Sequence, residues 1–201
     1  PPSAIDWLVK NRKISPQVVK DYGVVASRKY FQKLQAEADC VGFPFYNNGE
    51  VYAVKYRTSG GEKAHTQEGT GGAQSFFGIE RVEADADTLV ICEGEIDQLS
   101  LASAGVLNAI SVPNGAPMKA SEGEVDPDND RKYGFVWAAK DLLKQVDKVV
   151  LAVDIDGPGQ ALAEELARRI GKIKCWQVEW PEGCKDPNDV LVKHGSEKLA
   201  E

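Results

Sequence analysis

No apolar run in the sequence approaches the roughly 20 residues that a membrane-crossing helix requires, so none is expected. A basic start followed by an apolar core and a small-residue cleavage site is also missing, and secretion is not expected. Cysteine is scarce: Cys40, Cys92, Cys175 and Cys184 form no C-x-x-C pair, and His65 and His194 lie far from any ligand cluster. A zinc knuckle is therefore not expected. Cys92, following Leu89-Val90-Ile91, reads as a small buried hydrophobe, and the thiols read as reduced and intracellular. There is no internal repeat, and the chain opens on Pro1 without a Met, as an excised piece of a longer protein would.

What is present is ordinary for a water-soluble fold. The 201 residues suffice for one large domain or two small ones, and 42% hydrophobic with 27% charged residues is a globular balance. A net charge of −7 and a pI near 5.0 weigh against nucleic-acid binding, because phosphate neutralisation supplies much of that affinity. Acidic residues that hold a cation would lower the total while attracting phosphates, and basic residues can be grouped locally.

The chain reads in two parts, 1–86 and 87–201. Ser3 can cap a helix through Ile5, Trp7 and Leu8, and Ser15-Pro16 can open a second that Gly23 ends. From Val41 to Tyr46 and from Val51 to Arg57 the pattern is strand, with Asn48-Gly49 a hairpin turn between them. Thr58 to Gly61 reads as a turn, Lys63 to Thr66 as a third strand, and Glu68 to Ala73 as a glycine-rich loop. From Thr88 strands and helices alternate. Strands are expected at Thr88–Cys92, Ala109–Val112, Lys148–Val153 and Ile173–Val178, with helices at Ile96–Ala104, Phe135–Gln145 and Pro158–Ile170. That order predicts a mostly parallel sheet covered on both faces, with Lys119–Arg131 an exposed loop.

Three motifs fall beyond strand ends, where such sheets place their chemistry: Glu93-Gly94-Glu95-Ile96-Asp97, Asp154-Ile155-Asp156-Gly157-Pro158-Gly159, and Lys185-Asp186-Pro187-Asn188-Asp189. Mg²⁺ takes hard oxygen ligands and keeps several waters, so Glu93, Asp154 and Asp156 can supply what one ion needs. Glycines 94, 157 and 159 allow backbone and phosphate to come close. Each motif alone has a plainer reading: Asp156 can simply cap the helix that Pro158 begins, and Lys-Asp-Pro-Asn can be a turn. Their joint order and spacing is harder to account for as turns.

That joint pattern resembles the Toprim family, which spans primases, topoisomerases, small nucleases and recombination mediators; its Glu is here Glu93 and its D-x-D is Asp154-x-Asp156. The flanking residues, including Cys184-Lys185-Asp186-Pro187-Asn188-Asp189 and Ser111-Val112-Pro113-Asn114-Gly115-Ala116, are similar to the primase half of bifunctional phage primase–helicases and their organellar relatives. Val54-Lys55-Tyr56-Arg57 followed by Lys63 is similar to the basic motif of those proteins, and Ser75-Phe76-Phe77-Gly78 to the segment joining their two subdomains. Altogether the likeness runs from about Ile14 to Val192.

The resemblance implies an α/β Toprim parallel-sheet domain preceded by a small α+β subdomain, and a primase that copies single-stranded DNA into RNA primers from nucleoside triphosphates. Mg²⁺, or Mn²⁺ in its place, would be held by Glu93, Asp154 and Asp156. Asp97, Asp186 and Asp189 are open between metal binding and surface or loop-positioning roles. Lys55 and Arg57 alternate on a strand and share a face; with Lys63 they would contact phosphates, and Asn114 and Lys119 nucleotide. Phe76 and Phe77 read as core, and His65 as exposed. Neither the zinc domain nor the P-loop of the phage enzymes is present, so template choice and unwinding are expected of other segments or a replicative helicase in cis or trans. The expected place is intracellular, in a bacterium, a phage-infected cell or an organelle, and off the membrane. A Toprim nuclease and a non-catalytic single-strand-binding module are the rival readings.

Overall fold

The computed structural model describes residues 2–69 and 74–201, and the chain forms two compact units, 1–73 and 74–201. Among the described residues no helix is long and apolar enough to cross a membrane.

The first unit holds two helices, α1 (Pro2–Asn11) and α2 (Pro16–Asp21), and an antiparallel sheet in the order β1 (Val25–Phe31), β2 (Ala36–Asn47), β3 (Glu50–Thr58), β4 (His65–Gly69). Pro16 sits in the first turn of α2, where a missing N–H costs nothing. Asn48 and Gly49 turn the β2–β3 hairpin with φ of 50° and 82°, as the sequence predicts. A bulge between Phe45 and Tyr46 shifts the register beyond which Phe43 lies opposite Lys55 and Val41 opposite Arg57. On the other face Phe31, Cys40, Tyr56 and Ala64 form a small core. β1 and the first residues of β2 were not expected as strand. β1 buries little besides Phe31, so Arg28, Lys29 and Tyr30 give it no apolar alternation. Of the expected loop from Glu68 to Ala73, Glu68 and Gly69 end β4, and 70–73 lie outside the described residues.

The second unit is the alternating α/β half. Its parallel sheet runs β6–β5–β7–β8, from β5 (Thr88–Cys92), β6 (Ala109–Ser111), β7 (Lys148–Ala152) and β8 (Cys175–Gln177). Helices α3 (Glu95–Ser103), α4 (Gly134–Ala138), α5 (Lys140–Gln145), α6 (Gly157–Ile170) and α7 (Pro187–Ala200) complete it. The helix expected over Phe135–Gln145 is two, broken at Ala139, and α7 was not anticipated.

Leu89, Ile91, Ile110, Val149 and Leu151 pack with Phe135, Val136, Leu143, Leu162 and Leu166 in one core. Each such side chain contributes about 1.5–3 kcal/mol by leaving water. Helices α3 and α7 pack on each other, and α3 also against β5 and β6. Phe76 stacks edge-on against Phe135 at 4.9 Å, and Phe77 pairs its backbone with Ser111 at 2.9 and 3.1 Å. These two anchors draw 74–86 into the second unit, so the contact division falls before the 86/87 boundary read from the sequence.

Candidate active site at the strand ends

With β5 central, β6 on one side and β7 on the other, the connection from β6 to β7 crosses over β5. The crevice beyond the carboxyl ends of β5 and β7 is then the switch point of the sheet, where open α/β sheets bind ligands. Cys92 and Ala152 are in register on these strands, so the first two motifs leave the sheet at the same end, with Glu93 one residue and Asp154 two residues beyond the last pair. Each motif also opens a helix: Gly94 caps α3, Asp156 caps α6 and Asp186 caps α7. The partial positive charge of a helix N-terminus favours carboxylates and phosphates nearby.

Asp97 is the centre of the electrostatics. Burial, then the charges of Asp186, Asp154 and Glu93, hold its carboxyl well above the usual range, opposed by the Asn188 N–H that donates to it at 3.4 Å. Asp97 thus lies within electrostatic reach of carboxylates from all three motifs. Burial and the carboxylates of Asp97, Glu95 and Asp154 also push the Cys92 thiol up, and its Sγ–H donates to the Ile110 carbonyl at 3.4 Å. Cys92 is the buried hydrophobe expected, and all four cysteines are free thiols.

The scaffold beneath is tightly tied. The Ile155 N–H donates to the Lys185 carbonyl at 3.0 Å, joining the second motif to the third. The Asn188 side chain donates to Ser100 Oγ at 2.9 Å, joining the third motif to α3. Sequence reasoning gave Asn188 no role, although a buried polar residue inside a Pro-Asn-Asp run is a signal for such a tie. Gly159 is required by close approach, for a Cβ there would overlap the Asp154 carbonyl oxygen.

The other expected residues are placed as follows. Asp156 accepts from the Gly159 N–H at 2.9 Å, the capping role, and is exposed. Asp189 faces Lys193 at 3.4 Å, and its N–H donates to Asp186 Oδ1 at 2.7 Å. Asn114 and Lys119 are exposed in the segment after β6. In the first unit Lys55 and Arg57 do share a face of β3, with Lys55 Nζ 5.9 Å from the Phe45 ring and Arg57 5.3 Å from Trp7. Lys63 lies two residues before β4 and is exposed, as is His65.

Among the described residues no group of three or more His, Cys, Asp or Glu stands gathered as a ready metal cage. The donor set nonetheless suits Mg²⁺, which needs hard oxygens and only one or two carboxylates, with water and substrate phosphate for the rest.

Comparison with known proteins agrees with this architecture. The Toprim-like family model matches residues 90–191, half of the chain, and the chain belongs to that family. It is 40% identical over 179 residues to the Twinkle homolog protein, chloroplastic/mitochondrial, of Arabidopsis thaliana, covering 86% of this chain and 25% of that protein. To the Primase homolog protein of the same plant it is 38% identical, covering 86% of this chain and 52% of that one. The chain therefore spans a quarter and about half of these two relatives. Among solved structures, the primase fragment of the bacteriophage T7 primase-helicase protein superposes with a TM-score of 0.73 at 19% identity, over 94% of this chain and 70% of that one. The Aquifex aeolicus primase gives 0.68 at 18%, over 96% and 53%. At that identity these last two speak for the fold.

Proposed function

We propose that the chain is the catalytic part of a DNA primase, a nucleotidyltransferase making short RNA primers on single-stranded DNA from nucleoside triphosphates. One observation supports the reading: in a Toprim-like chain, Glu93 and Asp154 follow the ends of neighbouring strands at the switch point of a parallel sheet, and the charges of both, with that of Asp186, bear on Asp97. The names of the two plant relatives and the fold shared with phage and bacterial primases support it.

In this reading Glu93, Asp154 and Asp156 hold Mg²⁺, with Asp97 and Asp186 beside them and Asp189 supporting the loop. Mg²⁺ bound there, or Mn²⁺ in its place, neutralises phosphate charge and favours ionisation of the attacking hydroxyl. The primer 3′-hydroxyl adds to the α-phosphorus, loses its proton, and pyrophosphate leaves. Lys55, Arg57 and Lys63 bind phosphates and offset the negative charge that develops, and Asn114 contacts nucleotide. The template is single-stranded DNA, the motor a replicative helicase in cis or trans, and the setting intracellular, in an organelle, a bacterium or a phage-infected cell.

The test is to incubate the chain with single-stranded template, labelled nucleotides and Mg²⁺ or Mn²⁺. Wild type is expected to give short RNA products and Asp154→Ala at least about a hundredfold less. Equal products from both would remove the assignment of this site. Cleavage of DNA without nucleotides would replace primase by nuclease.

A further inference from the structure

Away from the strand ends, the acidic loop 119–131 carries a serine that the primase reading does not use. The sequence there is Ser121-Glu122-Gly123-Glu124-Val125-Asp126, a hydroxyl followed by alternating carboxylates. The run has no helix or strand, and Ser121, Glu122, Glu124 and Asp126 are all exposed. A serine so placed is the substrate pattern of a kinase with a basic cleft, because charge complementarity between enzyme and substrate decides which hydroxyl is chosen.

Ser121 is also where the loop is tied to the fold. Its hydroxyl donates to Glu165 Oε1 at 2.5 Å, and its N–H donates to the same oxygen. Glu165 lies on α6 and is 1% exposed, so these two donors satisfy a buried carboxylate from outside its helix. The neighbouring cations are already engaged. Arg168 donates to the carbonyls of Ser121 and Gly123 and to the Ser121 hydroxyl at 3.2 Å, and Arg169 donates to Asp130 and Glu165. Lys172 lines the adjoining hollow, but Glu124 shares that lining and offsets its charge. A phosphate on Ser121 removes the Oγ–H donor and sets up to about two negative charges against Glu165, of which Arg168 meets only part.

We propose that Ser121 is a phosphorylation site, and that its phosphate unlatches the acidic loop from α6. The hydroxyl becomes free for transfer when the loop opens locally, with no secondary structure to unfold first. In the cleft of an acid-directed serine/threonine kinase, the Ser121 oxygen attacks the γ-phosphorus of ATP. The Oγ–P bond forms as the bond from that phosphorus to the β,γ-bridging oxygen breaks; ADP leaves, and the hydroxyl proton passes to the kinase's base. The phosphoserine then repels Glu165, and both ties to that carboxylate are lost together. This site is independent of the primase reading, and its failure leaves that reading untouched.

Incubation of the whole chain with ATP and an acid-directed kinase, followed by peptide mass spectrometry, tests the site. Wild type is expected to carry phosphate on Ser121, and Ser121→Ala to carry none at that position. Glu124→Gln is expected to be modified about tenfold more slowly, as selection by charge requires. Hydrogen exchange on modified and unmodified chains tests the unlatching. Residues 120–131 are expected to exchange about tenfold faster once modified, as loss of a hydrogen bond to a charged group allows, while β5 and β7 keep their rates. No phosphate on Ser121, or Glu124→Gln modified as fast as wild type, overturns the site. A modified loop that exchanges no faster, or a rise shared equally by β5 and β7, overturns the unlatching.

Discussion

Two clusters of charge in the second unit have opposite characters. At the strand ends burial, and then the like charges of Asp186, Asp154 and Glu93, drive the Asp97 carboxyl upward. Beneath α6, by contrast, Glu165 and Asp130 close on Arg169, whose side chain is only 4% exposed. Arg169 also stacks on Tyr133 at 3.7 Å, while the Ser121 hydroxyl donates to Glu165 at 2.5 Å. Burial opposes the charged forms of Glu165 and Asp130, yet hydrogen bonds from Ser121 and Arg169 outweigh it and both carboxyls are lowered. The lesson is in the compensation. Where the chain supplies the cation, the carboxylates are compensated and structural; where it supplies mainly more carboxylates they repel one another, the pattern on which the proposed cation site rests.

The largest effect is expected from breaking the compensated cluster. Arg169→Ala removes the cation shared by Glu165 and Asp130 and leaves Glu165 only Arg168 at 3.4 Å, so urea unfolding should register a loss of about 3 kcal/mol. At the strand ends the same logic gives the opposite sign. Asp97→Asn removes a repelled carboxylate and should stabilise the protein by about 0.5–2 kcal/mol while weakening cation binding, a trade expected of functional sites. A destabilised Asp97→Asn protein would erase the contrast between the clusters.

Of intermediate size is the cost of Gly159→Ala. The new methyl collides with the Asp154 carbonyl, so a loss of about 1–3 kcal/mol is expected by thermal unfolding. Gly157→Ala, with nothing within 4 Å, should stay within about 0.5 kcal/mol of wild type.

Acid should attack the compensated cluster. Because the folded-state carboxyls of Glu165 and Asp130 are lowered, their contribution is complete above the unfolded carboxyl pKa of about 4 and is lost as pH falls through the folded values. Stability measured from pH 5 downward should fall more steeply for wild type than for Glu165→Gln; parallel curves would show that Glu165 contributes nothing to acid unfolding.

The smallest effect separates cap from ligand at Asp156. Asn caps as well as Asp, so Asp156→Asn should leave the melting temperature almost unchanged, whereas Asp156→Ala should cost about 1 kcal/mol. Weakened Mg²⁺ binding in Asp156→Asn would mark a ligand as well as a cap.

Much of this was legible in the sequence because the signal was apolar. Strands β5 to β7 are buried runs bounded by turns, and their limits fall within two residues of expectation. Asn48-Gly49 announced its hairpin by backbone chemistry alone. What stayed hidden depends on partners distant in the chain. Glu165 and Arg169 are spaced like a solvated helix pair, and only the return of Ser121 and Asp130 from the acidic loop makes them a buried network. Asp186 and Asp189 read alike in sequence; Asp186 caps the helix and its charge bears on Asp97, whereas Asp189 faces Lys193. Helix α7 is interrupted at Gly195 by a φ of 86°, which obscures its period.

The strand-end carboxylates are proposed as a cation site used for nucleotide chemistry. Calorimetric titration of Mg²⁺ and of Mn²⁺ into wild type and Asp154→Ala tests it most directly. Saturable binding to wild type, strengthened when a nucleoside triphosphate is present, and none to Asp154→Ala are expected; equal binding by the two proteins would contradict the proposed site.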